Sequence, residues 1–336
     1  MSRENGHPAP RRSKNTDMII TLLPLLFMAV YYNGFRALSL AATGVVFSVI
    51  VDYICVRLSG RKRHKKHDWS AVVTAMIYVL LLPATAPYWL VFAGILIALL
   101  VAKHPFGGAG RNIFNPAAVA YAFAAICWPM RTLTYPAHHN WLPIFGDVFT
   151  SATERAPAYL LQLGGRPTIE PVDAILGNFT GPMGATSILV IAACGLYLIV
   201  RKTVPWEIPV ATLAASSVFA ALFPRVAAGH LASVMLETLA GVLLFGTVFM
   251  ASDPATSPET RKGRVVYGVL LGLFTMLVRY FGKVEIGFVY ALLLMNALAP
   301  ACDVYAAAFV GKLRRYRVKD GDPDAEPLGT EVSVHD

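Results

Sequence analysis

Charge is scarce in this sequence. Asp, Glu, Lys and Arg make up 15% of its 336 residues, against 56% hydrophobic residues and a mean hydropathy of +0.56. Soluble domains carry about 25% charged residues, so a water-soluble globular enzyme is excluded and a polytopic membrane protein is indicated. Cysteine is equally sparse. Cys55, Cys127, Cys194 and Cys302 sit in or beside apolar runs, with no Cys-x-x-Cys pair and no Cys/His cluster. That excludes an iron–sulfur cluster or zinc site held by this chain alone, and each cysteine reads as a small buried hydrophobe. The glycine-rich run Gly107–Gly110 is not followed by Gly-Lys-Ser/Thr, so it is no phosphate loop. Motifs for NAD or ferredoxin binding are also missing. Met1–Asp17 is polar and basic, with no cleavage-like site after the first apolar run; it is expected to be a retained cytoplasmic tail rather than a signal peptide.

What the chain does have is long apolar runs. About 20 apolar helical residues cross a hydrocarbon core of about 30 Å. Ten cores meet or approach that length: Met18–Asn33, Leu38–Val56, Trp69–Leu82, Tyr88–Ala102, Asn115–Trp128, Ala185–Val200, Ile208–Phe223, Met235–Met250, Val265–Phe281 and Ile286–Ala301. The expected fold is therefore all-α, with about ten transmembrane helices. The net charge of +9 does not point to nucleic acid, because the basic residues cluster between the runs. With the N-terminus inside, 22 of the 29 Lys and Arg residues fall on cytoplasmic segments; the other seven are Arg36, Arg131, Arg155, Arg166, Arg225, Arg279 and Lys283. This asymmetry predicts both termini inside, with the long loop over residues 129–184 outside. It frames residues 1–17 as a tail, 18–310 as the membrane domain and 311–336 as a basic, then disordered, cytoplasmic tail. Five helices per half give the halves opposite polarity, the layout of an inverted repeat. Asn115-Pro116-Ala-Ala-Val-Ala-Tyr121 is faintly like Asn296-Ala-Leu-Ala-Pro300-Ala.

Five stretches carry chemistry. They are Asp68-Trp-Ser-Ala-Val-Val-Thr74 with Leu80-Leu-Leu-Pro83; Lys103-His-Pro-Phe-Gly-Gly-Ala-Gly-Arg-Asn112-Ile-Phe-Asn115-Pro116; Asp147-Val-Phe-Thr150-Ser151-Ala152-Thr153; Asp173 to Ser187, with Trp206 beyond it; and Met250-Ala-Ser-Asp253-Pro-Ala-Thr-Ser-Pro258. In this order, over residues 68–258, they resemble the RnfD/NqrB family, the membrane component shared by the Rnf complex and the sodium-pumping NADH:quinone reductase. The short N-terminal region makes the chain most like the Rnf-type member, RnfD.

The resemblance implies covalent FMN, joined as a phosphoester to Thr153 by a separate Mg²⁺-dependent flavin transferase acting outside the cytoplasm. In the family pattern an acid stands six residues before the acceptor and a Ser or Thr three before it. Asp147 and Thr150 fit, whereas Ser151 stands where the pattern has glycine. Gly184-Ala185-Thr186 has the right tripeptide, but Thr180 rather than an acid lies six residues before it, which favours Thr153. The resemblance also implies a second, noncovalent flavin, riboflavin. Asn112, Asn115 and Asp253 are candidates for flavin contact. The Gly107–Asn112 run reads first as a tight turn into the fifth helix and second as a lining for a flavin or inter-subunit path, and Asp253 reads equally as a helix cap. Asp52, Glu237, Glu285 and Asp303, at or inside apolar runs, are candidates for a Na⁺ or H⁺ relay or for capping.

The expected function is that of a redox subunit of a translocase in the bacterial inner membrane, inactive alone. It would work with an extracytoplasmic FMN subunit, other membrane subunits and iron–sulfur subunits, and move electrons in step with Na⁺ or H⁺. Alternatives are an NqrB-type component of a quinone reductase, a standalone flavinylated reductase, and a solute channel or transporter.

Overall fold

A computed structural model of the chain describes residues 13–59, 69–108, 110–137, 139, 141–146, 148, 153–154, 156–163, 165, 171–225, 229–239, 241–282 and 286–319. Asp68, Asp147, Thr150, Ser151 and Glu285 lie outside the described residues, as does the side chain of Thr153. The first half comprises α1 (Lys14–Asn33), α2 (Phe35–Leu58), α3 (Ser70–Leu81), α4 (Tyr88–Ile97), a π-helical turn (Ala98–Lys103) and α5 (Pro116–Cys127). Between the halves come α6 (Pro129–Thr132), β1 (Tyr135–Pro136), β2 (Thr153–Glu154), α7 (Pro157–Gln162) and α8 (Pro171–Leu176). The second half comprises α9 (Ile188–Val200), α10 (Glu207–Leu222), α11 (His230–Leu239), α12 (Leu243–Phe249), α13 (Arg261–Phe281) and α14 (Gly287–Lys319).

Among the described residues, four helical stretches are long and apolar enough to cross a membrane: α1, α2, α13 and Gly287–Ala308 of α14. The apolar helices α3, α4 with its π turn, α5, α9 and α10 are shorter. At 12 residues, α3 rises only about 18 Å, because Pro83 and Pro87 cannot continue it. Apolar side chains such as Phe27, Val46, Leu196 and Leu222 are exposed on the outward faces, as a lipid-facing surface requires. Tyr78, Tyr121, Tyr267, Phe245 and Phe288 fill the interior. The sequence and these helices describe a multi-pass membrane protein.

Three expectations are corrected. The eighth core, Met235–Met250, is not one helix: α11 and α12 meet at a 50° bend. Gly241 supplies it with φ +93°, a left-handed backbone, and Arg279 Nη2 lies 3.3 Å from where a Cβ would stand. The chain is also not purely helical. Thr153 and Glu154 form a short antiparallel pair with Pro136 and Tyr135, register Pro136↔Thr153 and Tyr135↔Glu154, where a plain polar loop is expected. Finally, Cys127, at the end of α5, is exposed, whereas Cys55, Cys194 and Cys302 are buried.

The break after α3 has a counterpart. Pro83-Ala84-Thr85-Ala86-Pro87 joins α3 to α4, and Pro254-Ala255-Thr256-Ser257-Pro258 joins α12 to α13, with Thr85 and Thr256 each 3% exposed. The first pentapeptide is held by Arg36, just past the C-terminal end of α1, through hydrogen bonds to the Ala84 and Ala86 carbonyls. The second shares a cavity wall with Lys14, at the N-terminal end of α1. The two breaks therefore lie at opposite ends of a 20-residue helix, about 30 Å apart.

Helix packing around the bend is tight. A Cβ at Gly246 of α12 would collide with the Phe288 ring of α14. Gly246→Ala is expected to destabilise the protein by about 1–3 kcal/mol, the usual cost of overpacking. Thermal unfolding in detergent measures it, and Phe288→Leu added to Gly246→Ala should restore most of the loss.

Candidate functional site

The sequence candidates Asn112, Asn115 and Asp253 converge on one cavity of about 350 Å³ at the Lys14 end of the bundle. Six segments build it, one of them the α9–α10 connection with Thr203 and Val204. Asn112, Asn115 and Pro116 come from the entry to α5, Phe249 and Ser252–Ala255 from the break after α12, and Ser70, Val73, Thr74 and Ile77 from α3; Lys14 and Met18 of α1 and Lys103 of the π turn complete it.

Asn115 shapes the cavity rather than facing it with free groups. Its Oδ1 accepts from the N–H groups of Ala117 and Ala118 at 3.1 and 3.2 Å, capping α5 ahead of Pro116. Its Nδ2 donates to the Met250 carbonyl at 3.1 Å, an oxygen at the end of α12. Its own N–H donates to Asn296 Oδ1 at 3.0 Å, and Asn296 Nδ2 donates to the Tyr267 hydroxyl at 3.0 Å and the Thr256 carbonyl at 3.3 Å. The two asparagines that the faint internal similarity aligns thus meet in the centre, joining α5 to α14 and to the second broken helix.

Asn112 donates to the Phe114 carbonyl at 3.1 Å and hydrogen-bonds the Asp253 carboxylate. Asp253 also accepts from the Ala255 N–H at 3.1 Å, the cap of the break. Burial pushes the Asp253 carboxyl above the usual carboxylate range, and the bonds from Ala255 and Asn112 and the charge of Lys14 pull it back only in part. An acid with a raised folded-state pKa holds its proton more tightly folded than unfolded. Its contribution is therefore most favourable below the ordinary carboxylate value of about 3.9 and is lost as pH rises through the raised one. Melting curves across this window should fall more steeply with pH for the wild type than for Asp253→Asn.

Lys103 is the residue that sequence reasoning passed over. It is 2% exposed, lines the cavity and pairs with Asp52 of α2, Nζ to Oδ1, at 2.9 Å. His104 Nε2 reaches the same oxygen at 3.0 Å. The π turn, marked by the His104 N–H bond to the Leu99 carbonyl, swings both side chains onto α2. Only a contact between distant elements reveals this, so nothing local in the sequence signals it.

The other acids divide. Asp303 is a cap: it accepts from the Glu259 and Thr260 N–H groups at 3.0 Å each and from the Thr260 hydroxyl, at the start of α13. Glu237, 1% exposed, is buried between two arginines. Arg225 reaches its Oε1 at 2.5 Å and Arg279 its Oε2 at 3.6 Å, so this buried carboxylate is paired rather than isolated.

At the opposite end of α1, the Thr153 backbone sits in β2. Neighbouring Glu154 is exposed, and its Oε2 accepts from the Thr180 hydroxyl at 2.8 Å. Thr186, the rival acceptor, is 6% exposed in a loop whose Gly184 N–H donates to the Leu80 carbonyl at 2.7 Å.

Comparison with known proteins decides the family. The sequence model described as the NQR2, RnfD, RnfE family matches residues 9–310. The chain belongs to this family. Among its relatives in the family is the D component of the Na(+)-translocating ferredoxin:NAD(+) oxidoreductase complex of Acetobacterium woodii, 36% identical over 287 residues, covering 85% of this chain and 86% of the relative. The D components of ion-translocating oxidoreductase complexes are 31% identical in Haemophilus influenzae, over 86% of this chain and 90% of the relative, and 31% identical in Haemophilus ducreyi, over 86% and 91%.

Proposed function

We propose that this chain is the D-type membrane component of an ion-translocating electron transport complex, carrying FMN esterified to Thr153 and a second, riboflavin-type flavin in the Asn112–Asn115–Asp253 cavity. The observation that carries the reading is the placement of two candidate flavin positions at opposite ends of α1, about 30 Å apart. A carrier at each face is what electron transfer across a membrane needs. The names of the relatives favour this complex over a quinone reductase or a standalone reductase.

The local chemistry fits both groups. An acceptor hydroxyl must be reached by a transferase; the exposure of Glu154 favours Thr153, and the burial of Thr186 argues against it. The cavity has the volume of a small-molecule site and mixes apolar walls with a few polar groups. Bound there, a flavin supplies one- and two-electron chemistry, while the protein supplies orientation and field. Asn112 and Asp253 offer a hydrogen-bonding edge, and Asn115 keeps the α5 entry and the α12 break in register around it. The Asp52–Lys103 pair holds a cation at the wall.

In this reading the ten apolar segments are ten spans in two inverted five-helix halves, related through the Pro83–Pro87 and Pro254–Pro258 breaks. Charge asymmetry orients them with residues 1–17 and 311–336 in the cytoplasm and residues 129–184 outside. Partners are the extracytoplasmic FMN subunit, membrane subunits and iron–sulfur subunits of the complex, with Na⁺ or H⁺ as the coupled ion. The test is co-expression with a Mg²⁺-dependent flavin transferase, followed by a denaturing gel viewed for flavin fluorescence. A fluorescent band at the mass of this chain supports the reading, and a dark band refutes it.

A further inference from the structure

Lys103 ends the π-helical turn Ala98–Lys103, a rare geometry that in proteins is frequent at functional sites. Lys103 is buried, lines the cavity and donates through Nζ to Asp52 Oδ1 at 2.9 Å. His104 Nε2 shares that oxygen at 3.0 Å. Among the described lining residues, neither Asp52 nor His104 appears. The pair is therefore oriented: its cationic residue forms the cavity wall, and its carboxylate stands behind on α2.

Stability does not explain this pair. Taking two charges out of water costs about as much as their attraction returns, and apolar residues often replace a buried pair without loss. Two further ionisable side chains line the cavity, Lys14 and Asp253. Burial pushes the Asp253 carboxyl towards its neutral form, so an occupant faces two cations and one weakened acid. Behind Lys103, on α2, Cys55 lies within electrostatic reach of both Asp52 and Lys103. Salt screens exposed charges over about 8 Å, and buried charges less. The field of Lys103 therefore reaches across a cavity of about 350 Å³.

We propose that Lys103 is the residue by which the cavity selects reduced over oxidised flavin: its ammonium meets a negative charge that the ring carries only when reduced. This rests on the cavity being a flavin site. Reduction brings two electrons from an iron–sulfur carrier of the complex, which is oxidised, and one proton from water to ring atom N5. The N1 edge is left with one negative charge, whereas the oxidised ring has none. Lys103 keeps its proton throughout. A charge already in place needs no rearrangement as the ligand's charge develops. Asp52 and His104 are positioning residues that hold it there.

The experiment uses the full-length chain in detergent, produced without a flavin transferase and freed of noncovalent flavin. Anaerobic titration calorimetry with riboflavin, oxidised and dithionite-reduced, gives the ratio of the two dissociation constants. Wild type should bind the reduced form more tightly. Lys103→Met is expected to weaken the reduced form by about 10- to 100-fold more than the oxidised one. For a two-electron couple that lowers the midpoint potential of the bound flavin by about 30–60 mV. Lys103→Arg, which keeps the charge, should retain most of the wild-type preference. Asp52→Asn removes only the opposing charge and should raise the preference for the reduced form, which a merely structural role would not do. An unchanged ratio in folded Lys103→Met would overturn the proposal; if that variant does not fold, unchanged ratios in both Lys103→Gln and Asp52→Asn would overturn it. A wild-type chain that binds neither form would instead refute the cavity as a flavin site, and the Lys103 proposal with it.

Discussion

Replacing Thr153 by alanine is expected to abolish covalent flavin, leaving no fluorescent band on a denaturing gel, while Thr186→Ala leaves the band at full intensity. A phosphoester needs an oxygen nucleophile, and alanine has none. Thr186 has the hydroxyl and the local tripeptide, but it is 6% exposed, and the backbone around Gly177 closes against its carbonyl. Serine at 153 retains the hydroxyl, so Thr153→Ser should be labelled, more slowly if the methyl helps to orient the oxygen. Because Thr153 pairs with Pro136 through backbone, the alanine variant should fold, and its melting temperature is the control. A band surviving in Thr153→Ala would move the attachment elsewhere.

The second large effect is expected at Asn115. Asn115→Ala removes the cap of α5, worth about 0.5–2 kcal/mol. It also removes one of two donors to the Met250 carbonyl, which keeps the Asp253 N–H at 3.3 Å, a loss of about 0.5–1.5 kcal/mol. A total of about 1–3.5 kcal/mol is a large fraction of a typical stability. Because the same side chain holds the α5 entry against the α12 break, the cavity between them should open. Noncovalent flavin should therefore leave the purified protein while covalent flavin remains. Asn115→Asp separates the two roles: its carboxylate still caps α5, favoured by the helix N-terminus, but offers no N–H to Met250. It is expected to melt between wild type and the alanine variant. Equal melting temperatures for all three would remove Asn115 from the architecture of the site.

Much of this was legible in the sequence, and the reasons are specific. Apolar length located the helices because a span must bury its own backbone bonds. Cores such as Leu38–Val56 and Val265–Phe281 correspond to α2 and α13 within a few residues. The bend at Gly241 was not legible, since a single glycine in an apolar run is compatible with a straight helix until a neighbour such as Arg279 fills the space its missing side chain leaves. Asn112, Asn115 and Asp253 stood out as polar residues at helix breaks, and the fold brings all three to one cavity. What they do there was partly hidden, because Asn115 caps Ala117 through a local contact but bonds Met250 through a contact between the halves. Lys103 illustrates the same limit: its partner Asp52 is 51 residues away. The pairing of the Pro83 and Pro254 pentapeptides was not read from the sequence, since the burial of Thr85 and Thr256 that makes them alike shows only in the fold.

The central claim is a membrane subunit with one flavin on Thr153 and another in the cavity. Acid precipitation of the purified, co-expressed protein tests it most directly, with mass analysis of the peptide that contains Thr153. The account predicts one flavin per chain in the pellet, as an FMN phosphoester on Thr153, and one unphosphorylated flavin in the supernatant. A pellet without flavin, or an unmodified Thr153 peptide beside a modified one from elsewhere in the chain, would contradict it.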